Sequence, residues 1–79
     1  MKFKRGDRVL MARHADWKND AVGTIISNGR LRTLYDGSTD YQHWIEFDEP
    51  QRDYTDEMHG DNRTYDSSTV LERFLRPLG

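Results

Sequence analysis

The sequence predicts an all-β protein that folds as a small, partly open barrel of about five short strands, with one short helical turn before the last strand. Three observations favour this class. Apolar and polar residues alternate at strand spacing in several separate stretches. Turn-forming residues separate these stretches, at Gly6-Asp7, Asn28-Gly29 and Asp36-Gly37. A chain of 79 residues suits a single domain, and closing its sheet would cover edges that otherwise template aggregation.

The first strand begins after the Gly6-Asp7 turn. Alternate side chains of a strand point to opposite faces, so Val9 and Met11 share the face that we assign to the core. Residues 13–20 show neither helical nor alternating apolar spacing, which predicts a loop. Trp17 is the one large apolar side chain in that loop.

A β-hairpin is predicted around Asn28-Gly29, between strands at 21–27 and 30–35. An Asn-Gly pair accommodates positive φ at both central positions of a type I′ turn, whose twist matches the flanking strands. Gly23 lies inside a strand pattern and indicates a bulge or the close approach of a neighbouring backbone. A second turn follows at Asp36-Gly37.

The next strand is predicted over 41–48. Its alternation places Ile45 and Phe47 on the core face, and Glu49-Pro50 is expected to end it because proline cannot donate to a strand ladder. A long polar, acidic loop is then predicted at 49–64, and loops of this length in small domains are usually functional or mobile.

The C-terminal segment is predicted to form one helical turn and a short last strand. Thr69 and Glu72 have the spacing of a capping box, and Pro77 lies too close for a long helix. The last strand is therefore placed at 71–74. Together these elements predict one domain over 1–79.

Composition excludes several classes of protein. The chain has no cysteine, so disulfides and cysteine-based zinc sites are excluded. No apolar run approaches the roughly 20 residues that cross a bilayer, and no apolar signal segment follows the N-terminal lysines. We therefore expect no membrane partner and a cytoplasmic location.

Charge is distributed unevenly along the chain. Residues 1–33 hold eight Lys or Arg and three Asp, a formal charge of +5, whereas residues 34–79 hold four Arg and eleven Asp or Glu, a formal charge of −7. The two halves form either a dipolar binding surface or, in the simpler interpretation, pairs of opposite charge across neighbouring strands.

Short motifs along nearly the whole chain resemble a known fold family. They are Gly6-Asp7-Arg8-Val9, Trp17, Val22-Gly23-Thr24-Ile25, Ile45-Glu46-Phe47-Asp48 and Ser68-Thr69-Val70-Leu71-Glu72. Their order resembles the SH3-like barrel proteins, in particular the small photosystem I subunit that docks ferredoxin. The resemblance implies the barrel.

Two further resemblances imply different functions. Gly6-Asp7-x-Val9 followed by Val22-Gly23-x-Ile25 is similar to the KOW motif of ribosomal and transcription-elongation proteins, which implies association with nucleic acid. More weakly, the first motif with Trp17 and the ending Leu71-Glu72-Arg73-Phe74 resembles type II dihydrofolate reductase, a remote enzymatic alternative. That family has a Val-Gln-Ile-Tyr run where this chain has Asn62-Arg63-Thr64-Tyr65, so only the tyrosine matches.

Neither a metal site nor a catalytic centre is indicated. His14, His43 and His59 lack a second ligand at zinc-motif spacing. The acidic residues near position 57 lack the alternation and central glycine of an EF-hand loop. Ser67 and Ser68 are interpreted as helix caps, and no glycine-rich phosphate loop is present. We therefore expect no cofactor, no metal and no enzymatic activity.

Protein binding is the favoured hypothesis. Its predicted contact residues are Trp17, Tyr41, Trp44, Asp53, Tyr54, Asp56, Glu57 and Asp61. Aromatic groups supply rigid contact area, and an acidic rim orients a basic or proline-containing peptide. In the alternative interpretation, Trp17 and Trp44 close the core as lids. A small regulator or inhibitor of a larger protein, for example one encoded by a phage, fits this hypothesis.

Nucleic-acid binding is the alternative. It would use the basic residues Lys2, Lys4, Arg5, Arg8, Arg30 and Arg32. Phe3 and Trp17 would stack on bases. The acidic loop opposes this alternative because carboxylates repel phosphates unless they point away from the bound strand.

Overall fold

The computed structural model describes residues 1–11, 21–52, 58–60 and 63–78. Its elements in chain order are β1 (Arg8–Met11), β2 (Ala21–Ile25), β3 (Arg30–Thr33), β4 (Thr39–Arg52), β5 (Thr64–Leu71), a 3-10 helix (Glu72–Phe74) and β6 (Leu75–Pro77). The strands pair antiparallel in one curled sheet that forms a half-barrel. The predicted all-β class and the helical turn before the last strand are confirmed. No helix in the described part of the chain is long and apolar enough to cross a membrane.

The central strand of the sheet is β4, which is 14 residues long. One of its sides pairs with β2 and β3, and the other pairs with β5. On the far side of β2 lies β1, which also pairs with β6. Leu75 of the last strand thereby lies opposite Met11 of the first, and the sheet curls around the apolar core.

Among the described residues, nine apolar side chains are buried inside the curled sheet. They are Phe3, Val9, Met11, Ala21, Ile25, Ile45, Phe47, Val70 and Leu75. The predicted inward faces of β1 and β4 are confirmed, because the buried and exposed residues alternate as the sequence does. Every strand except β3 contributes to this core, and all four residues of β3 are exposed.

The prediction of a hairpin at Asn28-Gly29 is wrong. Both β2 and β3 run antiparallel to β4 and therefore follow the same direction along it. Ile25 lies opposite Ile45, and Arg30 lies opposite Gln42. Four residues, 26–29, therefore separate these two pairs on one side, whereas only two residues, 43–44, separate them on β4. The Asn-Gly pair thus belongs to a bulge in one long, interrupted strand.

The role of Gly29 explains why the turn prediction failed. Neither Asn28 nor Gly29 adopts the positive φ that a type I′ turn requires. A Cβ atom at Gly29 would instead lie 2.7 Å from Cε1 of His43 and would also meet the sulfur of Met1. This glycine leaves room for a buried imidazole against the backbone.

The chain reverses direction at the second predicted turn, which joins β3 to β4. The backbone N–H of Leu34 donates to the carbonyl of Ser38 at 2.8 Å, and Gly37 has a φ of 83°. The carboxyl of Asp36 accepts the hydroxyl of Ser38 at 2.6 Å and its N–H at 2.9 Å. These hydrogen bonds lower the pKa of Asp36 below its ordinary value.

Gly23 marks a close approach of strands, as predicted. It lies opposite Val9 on one side and Phe47 on the other. A Cβ atom there would lie 2.5 Å from the carbonyl oxygen of Glu46 and 2.7 Å from Cγ2 of Ile45. The sheet can therefore curl tightly at this position only with glycine.

Pro50 does not end its strand, contrary to the prediction. The pairing between β4 and β5 is irregular between Glu46 and Gln51, so Pro50 lies where a ladder hydrogen bond is not needed. Regular pairing resumes with Gln51 opposite Tyr65. The two strands thereby extend into both ends of the predicted 49–64 loop, and residues 53–57 and 61–62 lie outside the described residues.

The C-terminal segment differs from its prediction in three respects. Thr69 belongs to β5, a strand that the sequence did not indicate. The 3-10 helix has Leu71 as its N-cap residue, without a side-chain capping bond, so the capping box is wrong. The last strand lies at Leu75–Pro77 instead of 71–74. The side chain of Glu72 instead bonds to His43 and to the backbone N–H of Lys2.

Candidate functional site

An exposed tryptophan stands near the middle of the sheet. Trp44 alternates with the inward-facing His43 and Ile45 and keeps 44% of its surface exposed. Its backbone is held firmly, because its carbonyl accepts the N–H of Ile26 at 2.9 Å and its N–H donates to the hydroxyl of Ser27 at 3.2 Å. Trp44 is therefore a surface group on a fixed strand, and the lid interpretation is wrong for this residue.

Basic groups share the outer surface of the sheet with Trp44. Arg30 lies opposite Gln42 and Trp44 lies opposite Thr69, and directly paired residues project to the same face. Arg32 follows two positions after Arg30 and donates through Nη1 to the side-chain oxygen of Gln42 at 2.7 Å. We call the surface formed by Arg30, Arg32, Gln42, Trp44 and Thr69 the outer β3–β4 face.

An exposed hairpin adjoins this face. β3 pairs with β4 along one side, and no other described strand pairs with its second side, which we call the open side. Leu31 is 58% exposed and Tyr35 is fully exposed. A surface cleft of about 340 Å³ lies beside them, lined by Arg32, Thr33, Leu34 and Tyr35.

Of the two arginine–aspartate ion pairs among the described residues, one uses Arg8, which the sequence offered for nucleic-acid binding. Arg8 meets Asp48 through two hydrogen bonds, one of them 2.6 Å from Nη1 to Oδ1, and also donates to Thr24 at 2.9 Å. The Arg8 hydrogen bond lowers the pKa of Asp48, and Asp48 raises the pKa of Arg8. This pair joins the basic and acidic halves of the chain across β2, which lies between β1 and β4.

The second ion pair holds the 3-10 helix against β4. Asp40 accepts the backbone N–H of Arg73 at 3.1 Å and its Nε–H at 3.0 Å. Burial raises the pKa of the Asp40 carboxyl, but the hydrogen bonds from Arg73 and from the Tyr41 N–H outweigh burial and hold the pKa below its ordinary value.

The predicted contact residues do not form one described patch. Tyr41 and Trp44 lie three positions apart on β4 and therefore face opposite sides of it. The other predicted protein-contact residues, Trp17, Asp53, Tyr54, Asp56, Glu57 and Asp61, lie outside the described residues. Their role stays a prediction.

The predicted nucleic-acid residues divide into three sets. Lys2, Lys4 and Arg5 are exposed on the segment before β1. Arg8 is engaged by Asp48, which removes it as a free phosphate contact. Arg30 and Arg32 lie on the outer β3–β4 face.

A buried polar pair is the main feature that the sequence did not indicate. The side chain of His43 is fully buried, and its Nε2–H donates to Oε2 of Glu72 at 2.7 Å. Oε1 of Glu72 accepts the backbone N–H of Lys2 at 2.6 Å. The ring of Phe3 meets the imidazole edge-on, with centroids 6.3 Å apart. The alternation of His43 with Ile45 was the signal for its inward position.

The His43 and Glu72 pair serves the fold. It connects β4, the 3-10 helix and the N-terminal segment, and the imidazole is closed off from solvent. Nδ1 of His43 has no hydrogen-bond partner in the described part of the chain. Among the described residues, no three His, Asp or Glu side chains are grouped to hold a metal ion.

The outer β3–β4 face and the hairpin beside it offer an indole ring, two guanidinium groups and a strand edge to other molecules. This chemistry suits recognition of another molecule. A scan against protein-family models and searches of curated proteins and of solved structures gave no match to this chain.

Proposed function

We propose that the chain is a non-catalytic, cytoplasmic binding module of the SH3-like barrel type that docks on another protein as a small regulator or inhibitor. The observation that carries the proposal is the exposed indole of Trp44 on a strand whose backbone is fixed on both sides. The half-barrel, with a 3-10 helix before the strand that returns to β1, supports the SH3-like type.

The surroundings of Trp44 have the composition of a protein-binding centre. Tryptophan and arginine are enriched among the few residues that dominate binding energy at protein interfaces. Arg30 lies opposite Gln42, two positions before Trp44 on β4, and Arg32 bonds to Gln42, so both arginines share the outer β3–β4 face with the indole. A side chain on a rigid strand loses little conformational freedom when it binds.

Capture of the partner with matched variants tests the proposal. The tagged chain is incubated with lysate from cells that encode it, and recovered proteins are compared between wild type, Trp44→Ser and Leu78→Ser. Leu78 is a suitable control because it is also a large, exposed apolar residue, 43% exposed and located after β6. We expect Trp44→Ser to weaken binding of a specific partner by about thirtyfold, and Leu78→Ser to preserve it. Equal recovery with both variants would contradict the assignment of Trp44.

Nucleic-acid binding is retained as a second candidate because of one contact. The Met1 side chain lies against Gly29, which brings the basic N-terminal segment beside the start of β3 and its Arg30. Titration with short DNA and RNA at about 50 mM salt tests this candidate. It predicts binding with a steep salt dependence that Arg5→Ala and Arg30→Ala each reduce, and absence of binding at this salt concentration would exclude it.

A further inference from the structure

The open side of β3 presents backbone groups of known orientation. The N–H of Leu34 bonds to the carbonyl of Ser38, so this pair is of the hydrogen-bonded kind. Hydrogen-bonded and non-hydrogen-bonded pairs alternate along an antiparallel ladder. Arg30 and Arg32 therefore direct their backbone groups toward β4, whereas Leu31 and Thr33 direct theirs toward the open side.

The side chains of β3 divide by charge between two faces. Arg30 and Arg32 lie on the outer face, and Leu31 lies on the opposite face, opposite the half-buried Tyr41. Arg30 makes no ion pair with any described residue, and Arg32 contacts a neutral amide, that of Gln42. Asp40 lies opposite Arg32, but its carboxylate is bound by Arg73. The edge thus combines two cationic side chains on one face with an exposed leucine on the other.

We infer that this edge binds an extended, acidic peptide segment of a partner protein by adding it to the sheet as a strand. The inference rests on the proposed function and names the chemistry of its partner. The bound strand bonds to the outward groups of Leu31 and Thr33. Its acidic residues lie opposite Arg30 and Arg32, in non-hydrogen-bonded pairs where side chains approach most closely, and its apolar residue lies opposite Leu31.

Charge argues against a second copy of the chain as the occupant of this edge. If Leu31 of one copy lay opposite Leu31 of another in an antiparallel pair, Arg30 would lie opposite Arg32. If Leu31 lay opposite Thr33, Arg32 would lie opposite Arg32. Like charges directly opposite each other destabilise a strand pair, whereas alternating acidic residues meet both arginines favourably.

The cleft beside the hairpin extends the same edge. It begins at Arg32 and Thr33 and continues to Leu34 and the exposed ring of Tyr35, with a volume of about 340 Å³. A partner strand that continues past Thr33 places a side chain in this cleft. The edge therefore offers side-chain contact beyond the backbone ladder.

A peptide titration followed by NMR tests the inference. The probe is acetyl-Thr-Val-Glu-Val-Glu-Val-Thr-amide, whose glutamates share one face of a strand, and its control has lysine in place of both glutamates. We expect the glutamate peptide to shift the amide resonances of Leu31 and Thr33 and to slow their hydrogen exchange. The lysine peptide should bind at least about tenfold more weakly.

Two pairs of protein variants separate charge from backbone pairing. Arg30→Glu with Arg32→Glu should weaken binding of the glutamate peptide by about tenfold or more, whereas Arg76→Glu, on the edge strand β6, should not. Thr33→Pro removes one outward N–H without removing a ladder bond to β4, and we expect it to abolish the slowed exchange at Leu31. Thr33→Val keeps that N–H and should bind as wild type does.

Each contrary outcome has a defined meaning. Equal affinity for the glutamate and lysine peptides, or no binding of either, overturns the inference. Shifts confined to Trp44 and its neighbours also overturn it, while the proposed protein-binding function stands if the captured partner still depends on Trp44. Binding of oligonucleotides at this edge in place of the peptide overturns both the inference and the proposed protein-binding function.

Discussion

Removal of the Glu72 carboxylate should destabilise the protein strongly. Glu72→Ala deletes the acceptor of two N–H groups, the buried Nε2–H of His43 at 2.7 Å and the backbone N–H of Lys2 at 2.6 Å. Hydrogen bonds to a charged group contribute about 1.5–3 kcal/mol each, and a buried donor without a partner carries its desolvation penalty. We expect a loss of about 3–5 kcal/mol in the free energy of unfolding.

The expected loss is large for a chain of this size. At about 0.05–0.15 kcal/mol per residue, 79 residues correspond to a total stability of about 4–12 kcal/mol. Urea denaturation followed by circular dichroism measures the change, and the melting temperature should fall by at least about 12 °C. Glu46→Ala is the matched control because Glu46 is exposed on β4, and it should change stability by no more than about 0.5 kcal/mol.

A double-mutant cycle tests the coupling directly. Glu72→Leu and His43→Leu each leave one polar partner buried alone, whereas the double variant leaves neither, so its loss should be smaller than the sum of the single losses. A loss below about 1 kcal/mol for Glu72→Ala, or strict additivity in the cycle, would refute the role of this pair in anchoring the N-terminal segment.

Three further predictions concern the glycines and the exposed ion pair. Gly23→Ala should lower the free energy of unfolding by more than about 3 kcal/mol, since the new Cβ meets a backbone carbonyl that cannot move aside. An unchanged urea midpoint would contradict this prediction. Gly29→Ala should lower the free energy of unfolding by less, about 1–3 kcal/mol, because the Met1 side chain can move although His43 is held by Glu72. A larger loss of stability than for Gly23→Ala would contradict this prediction. The lowered pKa of Asp48 stabilises the fold above the unfolded-state value of about 3.9, and this contribution is lost as pH falls through the lower folded-state value. As the pH is lowered, the melting temperature of Asp48→Asn should accordingly fall less than that of wild type. Parallel curves of melting temperature against pH for the two proteins would argue against the effect.

Several parts of the structure could be predicted from local sequence. The inward positions of Val9, Met11, Ile45 and Phe47 follow from the two-residue period of a strand, which depends only on neighbouring residues. The Asp36-Gly37 turn follows equally from local backbone preference. On the candidate site, the sequence identified Trp44 and the two arginines of β3 but assigned them to different hypotheses.

Other features depend on which segments meet in space. The sequence alone determined the all-β class, the inward faces and the turn that joins β3 to β4, because these depend on local periodicity and backbone preference. Only the tertiary structure decided that Asn28-Gly29 forms a bulge, that His43 meets Glu72, and that Trp44 shares a face with Arg30 and Arg32. The physical reason is that strand pairing and burial join residues distant in sequence, so that a glycine needed for close packing has the same local signature as one needed for a turn.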